Sequence, residues 1–89
     1  MFIGAAGVSA AGLLQTDVIL LKAERRLMAR TRAVILLVDS SKFAPSRGQA
    51  VCTLDKIDTV ITDDGITSAH ADMIRRAGAT LIAVSADSL

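Results

Sequence analysis

The sequence predicts an α/β domain, a parallel sheet with flanking helices. Three observations predict it. Residues 33 to 38, AVILLV, form an apolar run without polar alternation, as suits a central strand covered on both faces. Helical segments, one running to about residue 31 and one after Thr67, alternate with extended runs. The resulting order, β-α-β-loop-β-α-β, calls for right-handed crossovers and therefore parallel strands.

Each element has its own signal. Residues 2 to 4 read as the end of a short strand, and Gly4 to Leu14 as a loop rich in Gly and Ala. Thr16 is the expected N-cap of the first helix, with Asp17 in a first turn where negative charge is favoured. Leu20, Ala23 and Leu27 recur at core spacing, flanked by Leu21 and Met28, while Lys22, Arg26 and Arg30 form a stripe on the other side. The central strand spans 33 to 39. Residues 40 to 50 hold Ser, Gly and the single proline, Pro45, and read as a loop, with a brief strand at 50 to 53. A strand at 58 to 62 closes in the turn residues Asp63, Asp64 and Gly65. Thr67 or Ser68 caps a second helix with Met73, Ile74 and Ala77 facing inward and Gly78 at its C-terminal stop. Residues 79 to 84 make the last strand.

Eighty-nine residues make one domain at most. The chain is 52% hydrophobic but only 2% aromatic, so its core must be aliphatic, with little surplus. That balance favours a fragment or an oligomer over a self-sufficient monomer. A formal charge of +1 provides no field that would select nucleic acid or an anionic membrane. The single Cys52 excludes an internal disulfide. No apolar run approaches the roughly 18 residues of a membrane helix, and MFIGAAGVSAAGLL lacks the basic start of a secretion signal. The chain reads as cytoplasmic. It begins almost on a strand, which suggests that something upstream is missing.

The central strand stops at Asp39-Ser40-Ser41-Lys42. Ligands of parallel sheets sit just beyond the carboxyl ends of strands, and here a carboxylate, two hydroxyls and an ammonium gather there. Carboxylates hold sugar hydroxyls, and Lys and Ser hold phosphate. A plain strand-terminating turn explains the same residues, and both readings stay open. Gly4, Gly7 and Gly12 could let backbone amides approach an anion, although their spacing is not GxGxxG and no Walker-type lysine follows. Asp63 falls on the same sheet edge as Asp39, within what is also a plain Asp-Asp-Gly turn. A receiver-type phosphoacceptor site would need an acidic pair near the first strand, and residues 1 to 12 hold no Asp or Glu. The basic stripe on the first helix has no interleaved aromatics for base stacking, which argues against direct nucleic-acid binding. His70 has no partner at metal-ligand spacing, and Cys52 reads as core or buried edge. No metal and no cofactor are expected.

FIGAAGVS at 2 to 9, GLLQTD at 12 to 17, ERRLMARTR at 24 to 32, VILLVDSSKF at 34 to 43, LDKIDTVITDDGI at 54 to 66 and AGATLIAV at 77 to 84 follow one another in a familiar order. In these motifs the chain resembles the C-terminal part of the effector-sensing domain of DeoR-family transcriptional regulators. The resemblance implies a fold shared with ribose-5-phosphate isomerase, glucosamine-6-phosphate deaminase and CoA transferases. It implies no catalysis, but a sensor whose phosphorylated sugar releases the repressor from DNA. The family's Asp-x-x-Lys motif falls on Asp39 and Lys42. Lys42 would hold the phosphate or a sugar oxygen, and Asp39 would hold a hydroxyl or orient Lys42. Ser40 and Ser41 lie between them, and Gly4, Gly7 and Asp63 are secondary candidates.

Two positions depart from the family pattern. Ala6 stands where many members have Asp, and Arg25 where many have Lys. The resemblance also implies that residues 1 to 89 are the C-terminal portion of one effector-binding domain. The helix-turn-helix and the first half of the sensor domain, with its Gly-rich phosphate loop, are absent. DNA would be contacted only through that missing helix-turn-helix, and a homo-oligomer is expected. Two rivals remain: an isomerase- or CoA transferase-like enzyme fragment, and a purely structural dimerisation module. The enzyme lacks a glutamate at any strand end to act as base or nucleophile.

Overall fold

The computed structural model describes residues 1–85. In order these form β1 (Phe2–Ile3), β2 (Gly7–Ser9), β3 (Gly12–Gln15), α1 (Val18–Met28), β4 (Ile35–Leu37), a 3-10 turn (Ser40–Phe43), β5 (Gln49–Cys52), a second 3-10 turn (Leu54–Lys56), β6 (Thr59–Asp63), α2 (Ser68–Arg76) and β7 (Thr80–Val84). Strands β1, β4, β6 and β7 lie side by side in that order, and every pair is parallel. The expected α/β class and parallel sheet are present.

The Gly/Ala segment corrects the expected loop. Residues 7 to 15 form the β2–β3 hairpin, which pairs with β5 in a separate antiparallel sheet. A glycine makes that approach possible. Gly12 has φ +127°, and a Cβ there would lie 2.0 Å from the Cys52 carbonyl oxygen. Gly and Ala composition suggested a loop, whereas Gly12 serves close backbone pairing.

The N-cap of α1 is Asp17, not Thr16: its Oδ1 accepts from Ile19 N–H (2.9 Å) and Leu20 N–H (3.1 Å). The inward face also differs from the expected one. Leu21 is buried and Met28 half-buried, whereas Leu20 and Leu27 are exposed. Four consecutive apolar residues, 18 to 21, satisfy more than one helical stripe, so spacing alone does not choose among them. Packing of α1 against β3 and β5 does. The second helix follows the sequence signals closely: Thr67 Oγ1 accepts from His70 N–H (3.2 Å), Ile74 is buried, and Gly78 takes a left-handed φ of +94° just past the helix end.

The parallel sheet is covered on one face, not on both as the apolar run of β4 suggested. Ile3, Leu36, Val60 and Leu81 form one cross-strand row, and it lies against the core with Leu13, Leu21, Ile57 and Ile74. The neighbouring rows, Phe2–Ile35 and Leu37–Ile61–Ile82, point the other way. Phe2 is 66% exposed and Ile82 44%. The cause is the strand order. All three crossovers advance in one direction along the sheet, and with the right hand that parallel connections take they fall on the same face.

Candidate functional site

The carboxyl ends of β4 and β6 are joined by a carboxylate clamp. Asp63 Oδ1 accepts from the Ser40 N–H (2.6 Å), and Asp63 Oδ2 accepts from the Ser40 hydroxyl (2.8 Å) and the Gly65 N–H (2.9 Å). Each donor is a backbone or hydroxyl group freed where a strand ends, so Asp63 satisfies both turns at once. The Ser40 N–H bond, then the Ser40 hydroxyl and the Gly65 N–H, hold the Asp63 carboxyl below its ordinary range. Gly65 leaves room for the clamp: a Cβ there would lie 2.7 Å from Asp63 Oδ2, so a larger residue would displace the carboxylate from its donors.

Asp39 begins the next turn. It caps the first 3-10 helix by accepting from the Ser41 N–H (3.0 Å) and from the Ser41 hydroxyl. The hydroxyl bond is the main cause of its lowered pKa, supported by the Ser41 N–H and the Lys42 charge. Desolvation and the neighbouring Asp63 charge oppose it. Asp39 therefore stays ionised beside a second carboxylate. The Lys42 side chain is half-buried on the same turn, and its charge acts on Asp39.

Between these strand ends lies a cleft of about 280 Å³ lined by Leu37, Val38, Asp39, Ile61, Thr62, Asp63 and Val84. Its floor is apolar and its rim carries the two carboxylates. Thr62, only 3% exposed, has a buried hydroxyl with no partner among the described residues. In the sequence Thr62 stands out only as part of the polar cluster Thr62-Asp63-Asp64 at a strand end, because a threonine within a strand ordinarily reads as sheet filler.

The structure thus brings Asp39, Ser40, Ser41, Lys42 and Asp63 together at one edge. Gly4 joins them, since a Cβ there would lie 3.8 Å from the Leu37 carbonyl oxygen. Gly7 lies within β2, where a Cβ would come within 1.8 Å of Ser46 Oγ, so close packing already accounts for it. Arg25 is remote from this edge in its contacts; its Nη2 donates to the Ala50 carbonyl (2.6 Å). His70 stacks on Phe43, with ring centroids 5.4 Å apart. No group of three or more His, Cys, Asp or Glu among the described residues is arranged to hold a metal.

The DeoR C terminal sensor domain model matches residues 1–64, from β1 through the end of β6. The chain belongs to this family. Its relatives are regulators. It is 43% identical over 56 residues to a putative sgc region transcriptional regulator of Escherichia coli (strain K12), covering 63% of this chain and 22% of the relative. It is 29% identical over 84 residues to the HTH-type transcriptional regulator UlaR of Shigella dysenteriae serotype 1 (strain Sd197), covering 94% of this chain and 34% of that protein. UlaR of Escherichia coli O1:K1 / APEC matches to the same extent. The chain spans about a third or less of the length of these relatives. No helix among the described residues is long and apolar enough to cross a membrane.

Proposed function

We propose that this sensor-domain chain binds a phosphorylated sugar at the carboxyl edge of its parallel sheet and, within a longer regulator, couples that binding to release of DNA. The observation that carries the reading is Asp39 and Lys42 on one turn at the end of β4, with Asp39 lining a cleft of about 280 Å³ at the carboxyl edge of the sheet. Asp39 accepts hydroxyls, and Lys42 supplies charge-assisted bonds to phosphate oxygens. Asp63 acts through Ser40, fixing the turn that carries both. Among the described residues the edge holds Asp39, Asp63 and Asp64 against the cation Lys42, so it is poorly matched to a phosphate dianion by itself.

Further cations then come from regulator sequence beyond this chain, and the open sheet face supports reading the chain as one portion of a larger domain. That domain has the isomerase- and transferase-like fold without turnover, works in the cytoplasm as a homo-oligomer, and meets DNA only through a helix-turn-helix. Ligand controls it through unequal affinity for two arrangements of the oligomer.

The test is release of operator DNA by the regulator that carries this sequence, followed by fluorescence anisotropy across a panel of phosphorylated sugars. One sugar phosphate should release the wild-type protein, and Lys42→Ala should require at least tenfold more of it. Release that is indifferent to Lys42→Ala and Asp39→Ala would remove this edge from the mechanism.

A further inference from the structure

A second cleft lies away from the Asp39–Asp63 edge, beside the starts of β4 and β6. It measures about 510 Å³, within the range of small-molecule sites. Met28, Val34 and Val51 give it apolar walls, and the end of α1, β5 and the second 3-10 turn bring charged residues to its rim. Three are cations, Arg25, Arg32 and Lys56, and two are carboxylates, Asp55 and Asp58.

Most of these charges are already engaged within the protein. Asp58 Oδ2 accepts from the Val34 N–H (2.7 Å), and Asp55 accepts from the Thr53 hydroxyl. Arg25 is anchored to the Ala50 carbonyl. Arg32 and Lys56 differ. Neither side chain has a hydrogen bond or ion pair among the described residues, and Lys56 acts on its neighbours Asp55 and Cys52 only through its charge. Two unengaged cations thus share an apolar-walled cleft whose carboxylates are held by other donors.

We propose that this cleft is a second ligand site, for a small oxyanion with an apolar body. The oxyanion bridges Arg32 and Lys56, and the body lies against Met28, Val34 and Val51. Arg32 offers a planar fork that matches two oxygens of a phosphate or carboxylate, and Lys56 adds a point charge. A phosphate monoester and a carboxylate share this chemistry, so the experiment separates them.

The experiment is an amide chemical-shift titration of the chain with n-butyl phosphate, hexanoate, inorganic phosphate and sodium chloride. The expected result is saturable shifts at Arg32, Val34, Cys52 and Lys56 with butyl phosphate, hexanoate or both. The preferred probe identifies the anion type. Inorganic phosphate should bind at least several-fold more weakly, because it leaves the apolar walls uncovered. Arg32→Gln and Lys56→Gln, both exposed positions, should each weaken the preferred probe about tenfold while the remaining spectrum stays folded. The proposal is overturned by shifts that never saturate, by shifts that chloride reproduces, or by binding that survives both substitutions. It is independent of the Asp39 edge, whose amides report separately in the same spectra.

Discussion

Leu36 and Leu37 are adjacent in β4, yet they should respond very differently to truncation. Leu36 is fully buried in the row shared with Ile3 and Val60, while Leu37 is 45% exposed on the open face. Leu→Ala removes three carbons, about 2.4 kcal/mol of transfer free energy at ~0.8 kcal/mol each. At Leu36 the cavity left behind adds to this, for about 3–4 kcal/mol in all. At Leu37 roughly half the transfer term applies and no closed cavity forms, giving about 1 kcal/mol. Urea unfolding followed by circular dichroism measures both. With a slope of about 1 kcal/mol per molar, the midpoint should fall by about 3 M for Leu36→Ala and about 1 M for Leu37→Ala. Equal losses would refute the one-sided sheet, because they would require Leu37 to be covered as completely as Leu36.

Three further outcomes follow from the geometry. Gly12→Ala should cost about 2–4 kcal/mol, since alanine meets both a left-handed φ and the Cys52 carbonyl; a urea midpoint within error of wild type would contradict this. Gly65→Ala should push apart the Asp63–Ser40 clamp, accelerating amide hydrogen exchange at Ser40 and Gly65 by at least tenfold while leaving α2 protected. Unchanged exchange at both amides would mean the clamp does not hold the turn. Asp63 also sets a pH dependence. Its folded pKa lies below the ordinary 3.8, so its stabilisation is complete above that value and is lost as pH falls through the folded value. Between pH 5 and about 2.5, wild type should lose more stability than Asp63→Asn, and parallel curves would show that the clamp is not ionic.

What the sequence disclosed follows from which signals are local. Thr67, Gly78 and the turn at Asp63 act on backbone groups within a few residues, and the structure places them as read. That the candidate residues at the strand ends share one edge was legible because a parallel sheet brings its carboxyl ends together whatever its detailed packing. Long-range choices were not legible. Nothing near Gly12 announces that Cys52 will lie against it, so a hairpin passed for a loop. The α1 face was ambiguous because Val18 to Leu21 supply apolar atoms on several sides, and only the second sheet decides which side is buried. The uniform apolar run of β4 suggested two covered faces. The direction of the crossovers, a property of the whole chain order, left one of them open. The clamp itself depends on residues 40 and 63 meeting across two strands, which no local spacing encodes.

The Asp39–Lys42 turn is proposed to receive the phosphorylated sugar. The most direct measurement is amide shift mapping on this chain with glucose 6-phosphate as probe and glucose as control. Saturable, millimolar-range changes are expected at Asp39 through Lys42 and at Gly4, abolished by Lys42→Ala and much weaker with glucose. A titration that leaves those amides unmoved, or moves them equally for both sugars, would contradict it.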